Sequence, residues 1–257
     1  MKQLTPLIIL FLLIGCHSEP RMANSQAKVA KVSRSKLKNE NSSKTPKNII
    51  LMVGDGMGIS QITAGLYANG NQLHLERFPV IGLHKSYASD NLVTDSAAGA
   101  TAFSIGEKTY NGAIGVLPDT SARQTILELA ASKGLATGLI ATSEITHATP
   151  ASFIAHQPSR QMHEAIAADF LNTDIDLFIG GGKKYFDDRE EDNRDLVQEL
   201  EAKGYSIQSF IEAKIEDVNM EVEKLAYFTA NVKPLPAAQG REYLPYASNA
   251  AVSFLNN

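Results

Sequence analysis

Apolar runs that alternate with helix-patterned segments constrain the fold of this chain more than any other feature of its sequence. Continuous apolar stretches occur at 48–53 (NIILMV), 136–142 (ATGLIAT) and 175–182 (IDLFIGGG). Such runs are typical of strands that are buried on both faces of a parallel sheet. Because helical spacing fills the intervals, the pattern predicts an α/β fold with a mostly parallel central sheet flanked by helices.

Helices are predicted from apolar periodicity and from capping residues. One should follow the GDGMG turn and end near Gly70. Another is predicted over 121–133, with Thr120 or Ser121 as its N-cap and Gly134 at its C-terminal end. Three further helices are predicted at 161–171, 192–203 and 246–255.

The N-terminal region has the composition of a targeting segment and a tether. Residues 1–16 (MKQLTPLIILFLLIGC) carry a lysine, a short apolar run and Cys16, the only cysteine. They predict a bacterial lipoprotein signal peptide with lipid on Cys16 and anchoring in the cell envelope, on its periplasmic side or outer surface; an ordinary cleaved signal is the alternative. Residues 17–47 hold few bulky apolar side chains, which predicts a disordered tether. The globular part is predicted over 48–257.

Charge is unevenly distributed between these parts. Residues 1–47 carry nine Lys/Arg and two Glu, whereas the rest of the chain carries 15 basic and 26 acidic residues, a net charge of −11. A nucleic-acid binder needs a basic surface, so no nucleic-acid partner is expected. Phosphate ligands remain compatible with an acidic body, because carboxylates that bind metal ions leave a locally positive site.

The stretch NLVTDSAAGATAFSIGEKTYNG places an acid beside a hydroxyl, Asp95 and Ser96, and follows them with small residues. Alanine and glycine at 97–100 allow a helix to begin in close contact with its neighbours. A serine is a nucleophile only when a base or a metal activates it, and the Gly-x-Ser-x-Gly motif of a lipase-type triad is absent from the sequence. A helix cap and a nucleophile are both compatible with these residues.

Asp55 lies between glycines directly after the first apolar run. A carboxylate at the carboxyl end of a parallel strand is well placed to hold a cation, but an aspartate in a turn also bonds its own backbone. The surrounding GDGMGIS lacks the third glycine of a dinucleotide-binding motif, so that interpretation is disfavoured.

A further group of candidates lies in SEITHATPASFIAHQPSR, which follows the second apolar run. His147 and Thr149 offer a nitrogen and an oxygen on one short loop. Arg160 is a candidate clamp for phosphate or carboxylate. His156 and His163 are predicted to be packing or surface residues.

Three blocks, in this order, resemble the alkaline phosphatase family: VGDGMGISQITAG, VTDSAAGATAFSIGEKTYNGAIGV and ATSEITHATPASFIAHQPSR. The resemblance covers most of residues 48–182. It implies a three-layer α/β sandwich, hydrolysis of small phosphate monoesters, Zn²⁺ and Mg²⁺ as cofactors, and a homodimer as one assembly.

The resemblance also implies roles for individual residues. Asp55 would bridge Mg²⁺ and one of two Zn²⁺ ions, and Ser96 would be the nucleophile that becomes phosphoserine, with its oxygen on that zinc. His147 and Thr149 would belong to the magnesium site, where some family members have aspartate in place of the histidine. Because that histidine can alter the metal preferred there, the metal preference is left open.

Arg160 would grip the phosphoryl oxygens, and Asp95 would orient Arg160 and the serine. The family's remaining ligands, a glutamate for magnesium and aspartates and histidines for zinc, lie in a second half, whereas the last histidine of this chain is His163. The chain is therefore expected to be the N-terminal part of the family's catalytic domain, with little or no phosphatase activity as an isolated polypeptide.

Two alternatives remain on the sequence alone. One is another metal-dependent phosphoesterase of the same superfamily, such as a phosphodiesterase or a sulfatase, although sulfatases use a modified cysteine and Cys16 lies in the signal region. The other is a non-catalytic lipoprotein or fragment that lacks the second-half metal ligands and either binds phosphate weakly or is inactive.

Overall fold

The computed structural model describes residues 46–256. The chain divides into two compact units, Met1–Leu51 and Met52–Asn257. The predicted signal peptide and all but the last two residues of the predicted tether lie outside the described residues. Within the described range, none of the helices has the length and apolar character needed to cross a membrane.

The elements of the second unit follow the chain from residue 59 onward. The α-helices are α1 (Ile59–Ala68), α2 (Ser96–Ile105), α3 (Ile126–Ser132), α4 (Ala148–Ala151), α5 (His163–Asp169), α6 (Lys184–Asp187), α7 (Leu196–Ala202) and α8 (Tyr243–Phe254). The strands are β1 (Gly138–Glu144), β2 (Leu177–Gly181), β3 (Tyr205–Ser209) and β4 (Lys224–Ala230). Short 3₁₀ turns lie at His74–Arg77, Ile215–Asp217 and Ala237–Gln239.

The four strands form one sheet in the order β1-β2-β4-β3, and every pair is parallel. In β2, Leu177 is in register with Gly138 on one side and with Leu225 on the other. Because parallel neighbours require crossover connections, helices are carried to the faces of the sheet. The predicted α/β fold with a parallel sheet is confirmed.

Apolar side chains cover both faces of the sheet. On one face Phe178 meets Phe170 with ring centroids 5.0 Å apart, and Phe228 meets Phe186 at 4.9 Å. On the other face, buried residues of β2 and β4 pack with α8 in a second cluster that includes Ala247. Helices on both faces give three layers, as the family resemblance implied.

The start of α3 differs from the prediction. The N-cap is Thr125, and neither Thr120 nor Ser121 caps the helix. Thr125 Oγ1 accepts a hydrogen bond from Glu128 N at 3.1 Å, while Glu128 Oε2 accepts one from Thr125 N at 2.7 Å. This reciprocal pair is a capping box, which outcompetes a single upstream hydroxyl.

The strand predicted at 48–53 is wrong. Residues 48–51 of the first unit and residues 52–53 of the second are exposed and belong to neither helix nor strand. An apolar run becomes a buried strand only where neighbouring strands supply pairing partners, and the described sheet is built entirely from strands that begin at Gly138 or later. Two of its strands, β3 and β4, were not predicted.

Candidate active site

The N-terminus of α2 separates the roles of Asp95 and Ser96. Asp95 is the N-cap, with extended backbone angles and its Oδ1 accepting a hydrogen bond from Ala98 N at 2.9 Å. Ser96 is the first helical residue. The capping bond is thus supplied by the carboxylate, which leaves the Ser96 hydroxyl available for another interaction.

The small residues after Ser96 bring α2 against α4. Ala97 and Ala100 are buried in the same core cluster as Ala148 and Ala151 of α4. Next to this apolar contact, a buried hydrogen bond joins the two segments. Thr101 Oγ1 donates to Ser152 Oγ at 3.1 Å. Side chains of this size allow close approach of the two backbones, so the loop that follows β1 is held near the serine.

Arg160 joins the nucleophile candidate to its neighbouring acid. Its Nη1 donates to Ser96 Oγ at 2.9 Å and to Asp95 Oδ2 at 3.2 Å. Arg160 and Asp95 keep 25% and 28% of their side-chain surface exposed. The guanidinium therefore lies at a site that an anion can enter from solvent.

Asp55 and Thr149 are in direct contact, although 94 positions separate them in sequence. Thr149 Oγ1 donates to Asp55 Oδ2 at 2.9 Å. Thr149 lies in α4, directly after the carboxyl end of β1. A carboxylate and a hydroxyl oxygen are hard ligands of the type that Mg²⁺ prefers.

His147 lies between the two groups. Its Nε2 is 3.2 Å from Arg160 Nη2. Because a guanidinium only donates hydrogen bonds, His147 Nε2 accepts here and the ring proton is on Nδ1. Burial, followed by the charge of Arg160, lowers the pKa of His147. The imidazole is neutral at neutral pH, but in this arrangement its Nε2 lone pair faces Arg160.

A polar cavity of about 140 Å³ adjoins Arg160 and His147, and sequence reasoning missed two of its lining residues, Glu144 and His163. Glu144 is buried at the end of β1, and its Oε2 has no hydrogen-bond partner. His163, predicted to be a packing or surface residue, stacks on Tyr185 with centroids 4.6 Å apart. An acid at the carboxyl end of a strand is the signal that could have identified Glu144.

His156 lies outside this group. Its Nε2 is 2.8 Å from Glu128 Oε1, and its Nδ1 is 2.7 Å from the Gly115 carbonyl oxygen. Both ring nitrogens face acceptors, which favours the imidazolium, and the hydrogen bond to Glu128 raises the pKa of His156. His156 was predicted to be a packing or surface residue, and the structure places it in a partly buried pair with Glu128.

The described residues bring together the candidates for phosphate binding more completely than those for metal binding. Asp95, Ser96, Arg160 and His147 form one chain of hydrogen-bond contacts. In residues 46–256, no group of three or more His, Cys, Asp or Glu side chains is placed to hold a metal ion. The Asp55–Thr149 pair therefore offers only part of a cation site.

The fold and this cluster define an α/β protein whose polar site lies at the carboxyl edge of a parallel sheet. The sequence model of the alkaline phosphatase family matches residues 46–221. The chain belongs to the alkaline phosphatase family.

Curated relatives agree with this assignment. Alkaline phosphatase 3 of Bacillus subtilis is 45% identical over an alignment of 174 residues that covers 62% of this chain and 37% of the relative. Alkaline phosphatase of Escherichia coli is 38% identical over 206 residues, covering 67% of this chain and 44% of the relative. The chain thus spans less than half the length of these relatives.

Solved structures extend the similarity to three dimensions. Alkaline phosphatase from the Antarctic bacterium TAB5 superposes with a TM-score of 0.78 at 41% identity, over 82% of this chain and 62% of that one. A TAB5 mutant with aspartate in place of a histidine has been solved with magnesium bound, and it superposes with the same TM-score at 40% identity.

Proposed function

We propose that this chain carries the phosphoryl-accepting part of a phosphomonoester hydrolase, with Ser96 as the nucleophile. The observation that carries the proposal is the pair of hydrogen bonds from Arg160 Nη1, one to Ser96 Oγ at 2.9 Å and one to Asp95 Oδ2 at 3.2 Å. Arginine binds phosphate oxygens through its fork of donors. A phosphoryl group held by Arg160 would have its phosphorus next to the serine hydroxyl.

Each of the three residues has a separate task in this mechanism. Ser96 Oγ forms a bond to phosphorus while the ester P–O bond breaks, and the proton that the serine hydroxyl loses balances the one with which the alcohol leaves. Arg160 binds the phosphoryl oxygens, and Asp95 holds the guanidinium in place. Water then cleaves the seryl phosphate, which returns the Ser96 hydroxyl and releases inorganic phosphate. Phosphoryl transfer depends mainly on such placement and on charge neutralisation.

Magnesium is the metal that the described donors fit best. Asp55 and Thr149 present two hard oxygens in contact, and His147 lies one residue before α4. We propose that these three residues contribute to a Mg²⁺ site, with Asp55 and Thr149 as the principal donors, because His147 Nε2 faces Arg160. When bound, the ion would supply positive charge that neutralises developing negative charge near Ser96.

Zinc does not fit the described residues by themselves. Zinc sites take three or four nitrogen, sulfur or carboxylate ligands, and within residues 46–256 the proposed zinc donors are Asp55 and Ser96 alone. No step of the mechanism is therefore assigned to zinc here, and zinc as a second cofactor of the family's chemistry remains a proposal.

A second candidate function follows from the metal-binding residues. Since no described group of three His, Cys, Asp or Glu side chains is placed for a metal, the chain could bind phosphate through Arg160 without turning over an ester. This candidate shares the anion site with the first and differs from it in whether Ser96 accepts a phosphoryl group.

The test separates the two candidates by covalent chemistry. The purified chain is incubated with an aryl phosphate, Mg²⁺ and Zn²⁺, and the peptide that contains residue 96 is examined by mass spectrometry. Because we expect transfer to be slow, accumulation of phosphoserine is a more sensitive readout than turnover. We expect phosphate on Ser96 and none in Ser96→Ala.

The other outcomes are equally decisive. Phosphate binding that is lost in Arg160→Ala, with no phosphoserine in the unmodified chain, would support the non-catalytic candidate. Failure to bind phosphate and to form phosphoserine would contradict both. Asn172→Ala, which removes a side-chain hydrogen bond after α5, is the matched control for handling and folding.

Location and assembly are also proposals. We propose that Cys16 carries a lipid that anchors the protein in a bacterial envelope, where it meets small phosphate monoesters, and that two copies form a dimer. Labelling with palmitate in a bacterial host should mark the chain and fail to mark Cys16→Ser. Sedimentation of the unlipidated protein at several concentrations measures the assembly state.

A further inference from the structure

The turn KTYNG contains an asparagine whose side chain reaches the segment before Ser96. Asn111 Oδ1 accepts a hydrogen bond from Asp95 N at 2.7 Å, and Asn111 Nδ2 donates to Val93 O at 2.9 Å. Its backbone N also donates to Asp90 Oδ1 at 3.2 Å. One amide thus binds both a donor and an acceptor of the chain that enters α2.

An asparagine in an ordinary turn bonds its own local backbone, usually two residues on. Asn111 instead bonds residues that lie 16 and 18 positions earlier in the chain. The bond from Asp95 N is partly buried, whereas the bond to Val93 O is exposed to solvent. A turn-forming role alone does not explain this long-range pairing.

The same segment binds the chain that leads to Arg160. Arg160 N donates to Gly112 O at 2.7 Å, and Tyr110 Oη donates to Pro158 O at 2.8 Å. Ile114 and Gln157 form an antiparallel bridge with two backbone hydrogen bonds, at 3.0 and 2.9 Å. Residues 110, 112 and 114 therefore face the arginine segment, while the side chain of 111 faces the serine segment.

We propose that Asn111 is a positioning residue that sets the distance between Ser96 and Arg160. The segment 110–114 is the common support of both groups: it holds Arg160 through its backbone and Ser96 through the Asn111 amide and Asp95. The inference rests on the proposed function, because the spacing matters only if a phosphoryl group is transferred between the groups it separates.

The Asn111 amide is one of three groups that hold Asp95 in place. Asp95 is fixed by its cap bond to Ala98 N, by Arg160 and by Asn111. Removal of the Asn111 amide leaves the cap in place, so α2 still forms. What changes is the freedom of the turn at 93–95, and with it the approach of Ser96 Oγ to a phosphoryl group held by Arg160.

The test compares Asn111→Ala with Asn219→Ala in the full chain. Asn219 Oδ1 accepts a hydrogen bond from Glu221 N at 2.9 Å in an exposed loop, so the control loses a local side-chain hydrogen bond away from the site. We measure the rate of phosphoserine formation at residue 96 as a function of aryl phosphate concentration. Asn111→Ala should lower the maximal rate about 10- to 100-fold, while the half-saturating concentration changes by only about 3-fold or less.

A conservative variant, Asn111→Asp, tests whether the lower rate of Asn111→Ala results from misfolding. Asn111→Asp retains an acceptor for Asp95 N and loses the donation to Val93 O, and it should fall between the wild type and Asn111→Ala. Melting temperatures are measured for all variants. A merely structural role would lower the melting temperature without separating the maximal rate from half-saturation.

Amide hydrogen exchange keeps this inference distinct from the proposed function. The Asp95 amide should exchange faster in Asn111→Ala than in Asn219→Ala, while the Phe178 amide in β2 is unchanged in both. If the wild type forms no phosphoserine, the proposed function fails and the exchange rates still decide the positioning claim. Wild-type exchange at Asp95 in Asn111→Ala, or phosphorylation as fast as in the control, would overturn the inference.

Discussion

Arg160 donates a hydrogen bond to Ser96 Oγ across 64 positions of sequence, and the same nitrogen also reaches Asp95. Asp95 uses its second oxygen to cap α2 through Ala98 N. One carboxylate therefore fixes the start of the serine helix and the orientation of the arginine. These two tasks can be separated by substitution.

Asp95→Ala and Asp95→Asn should differ in stability. Alanine removes the cap and should lower the free energy of unfolding by about 1 kcal/mol, whereas asparagine caps as well as aspartate and should stay within about 0.5 kcal/mol. Urea denaturation measures both values. Both variants should transfer phosphate to Ser96 more slowly, because neither retains a negative charge that holds the Arg160 guanidinium in place. Equal losses of stability would mean that the cap contributes nothing.

Any side chain at position 115 is predicted to destabilise the folded protein. The φ of Gly115 is +58°, and a Cβ there would lie 2.1 Å from the carbonyl oxygen of Ala155. Gly106 is the matched control, since its φ is +77° but nothing lies within 4 Å of the added atom. Gly106→Ala should cost about 1–2 kcal/mol from backbone strain alone, and Gly115→Ala at least about 2 kcal/mol more. Equal unfolding free energies would show that the backbone moves freely at Gly115.

How far the sequence predicts the fold depends on where each strand finds its partners. The apolar run at β2 becomes a fully buried inner strand, and the run at β1 becomes a partly buried strand at the edge of the described sheet. In both cases the apolar composition was a sufficient signal. β3 (YSIQS) is a polar edge strand whose state depends on pairing with β4, and its sequence carries little signal of its own. The run at 48–53 has the composition of a buried strand but pairs with no strand of the described sheet. Composition shows that a segment is suited to a buried strand, but it does not show whether neighbouring strands are present.

The candidate site likewise contains residues that the sequence predicts and residues that it does not predict. Asp95, Ser96 and Arg160 lie in blocks that resemble the family, and the structure places them in contact. Asn111 and Glu144 reach the site only through the tertiary fold, and no spacing in the sequence encodes that placement. A turn motif and a strand-end acid were visible, but which residues they would meet depended on the path of the whole chain.

Phe178 should be among the most costly side chains to remove. It is fully buried and contacts the rings of Phe170, Phe186 and Phe228. Phe178→Ala should lower the free energy of unfolding by about 3–5 kcal/mol, because it removes buried apolar surface and leaves a cavity. Phe210, which is 45% exposed, provides the control. A loss in Phe178→Ala no larger than in Phe210→Ala would contradict the assignment of the core.

The ion pair between His156 and Glu128 should make stability depend on pH. The hydrogen bond to Glu128 raises the pKa of His156 in the folded state. A histidine whose pKa is raised by folding stabilises the folded state fully at a pH below its unfolded pKa of about 6.5. This stabilisation is lost as the pH rises through its folded pKa. The pKa of Glu128 is lowered: burial alone would raise it, but hydrogen bonds from His156 and Thr125 outweigh burial. The contribution of Glu128 is therefore lost as pH falls through its folded value.

The measurement is the unfolding free energy of the wild type minus that of His156→Gln. This difference should be larger at about pH 6 than at about pH 9. His74→Gln, at an exposed position on a 3₁₀ turn, is the control and should give a smaller change. A difference that grows towards high pH would have the wrong sign for a stabilised imidazolium and would exclude this pairing in solution.

Thr149→Val should weaken magnesium binding with little effect on folding. Thr149 Oγ1 contacts Asp55 Oδ2 at 2.9 Å, and valine keeps the side-chain shape while it removes the oxygen. Loss of one such oxygen should reduce Mg²⁺ affinity about 10-fold, as measured by calorimetric titration. Thr63→Val removes a hydroxyl that bonds Ile59 O within α1 and serves as the control. If Thr149→Val bound magnesium as tightly as Thr63→Val, the threonine would have no part in the site; if the wild type bound none, the site itself would be refuted.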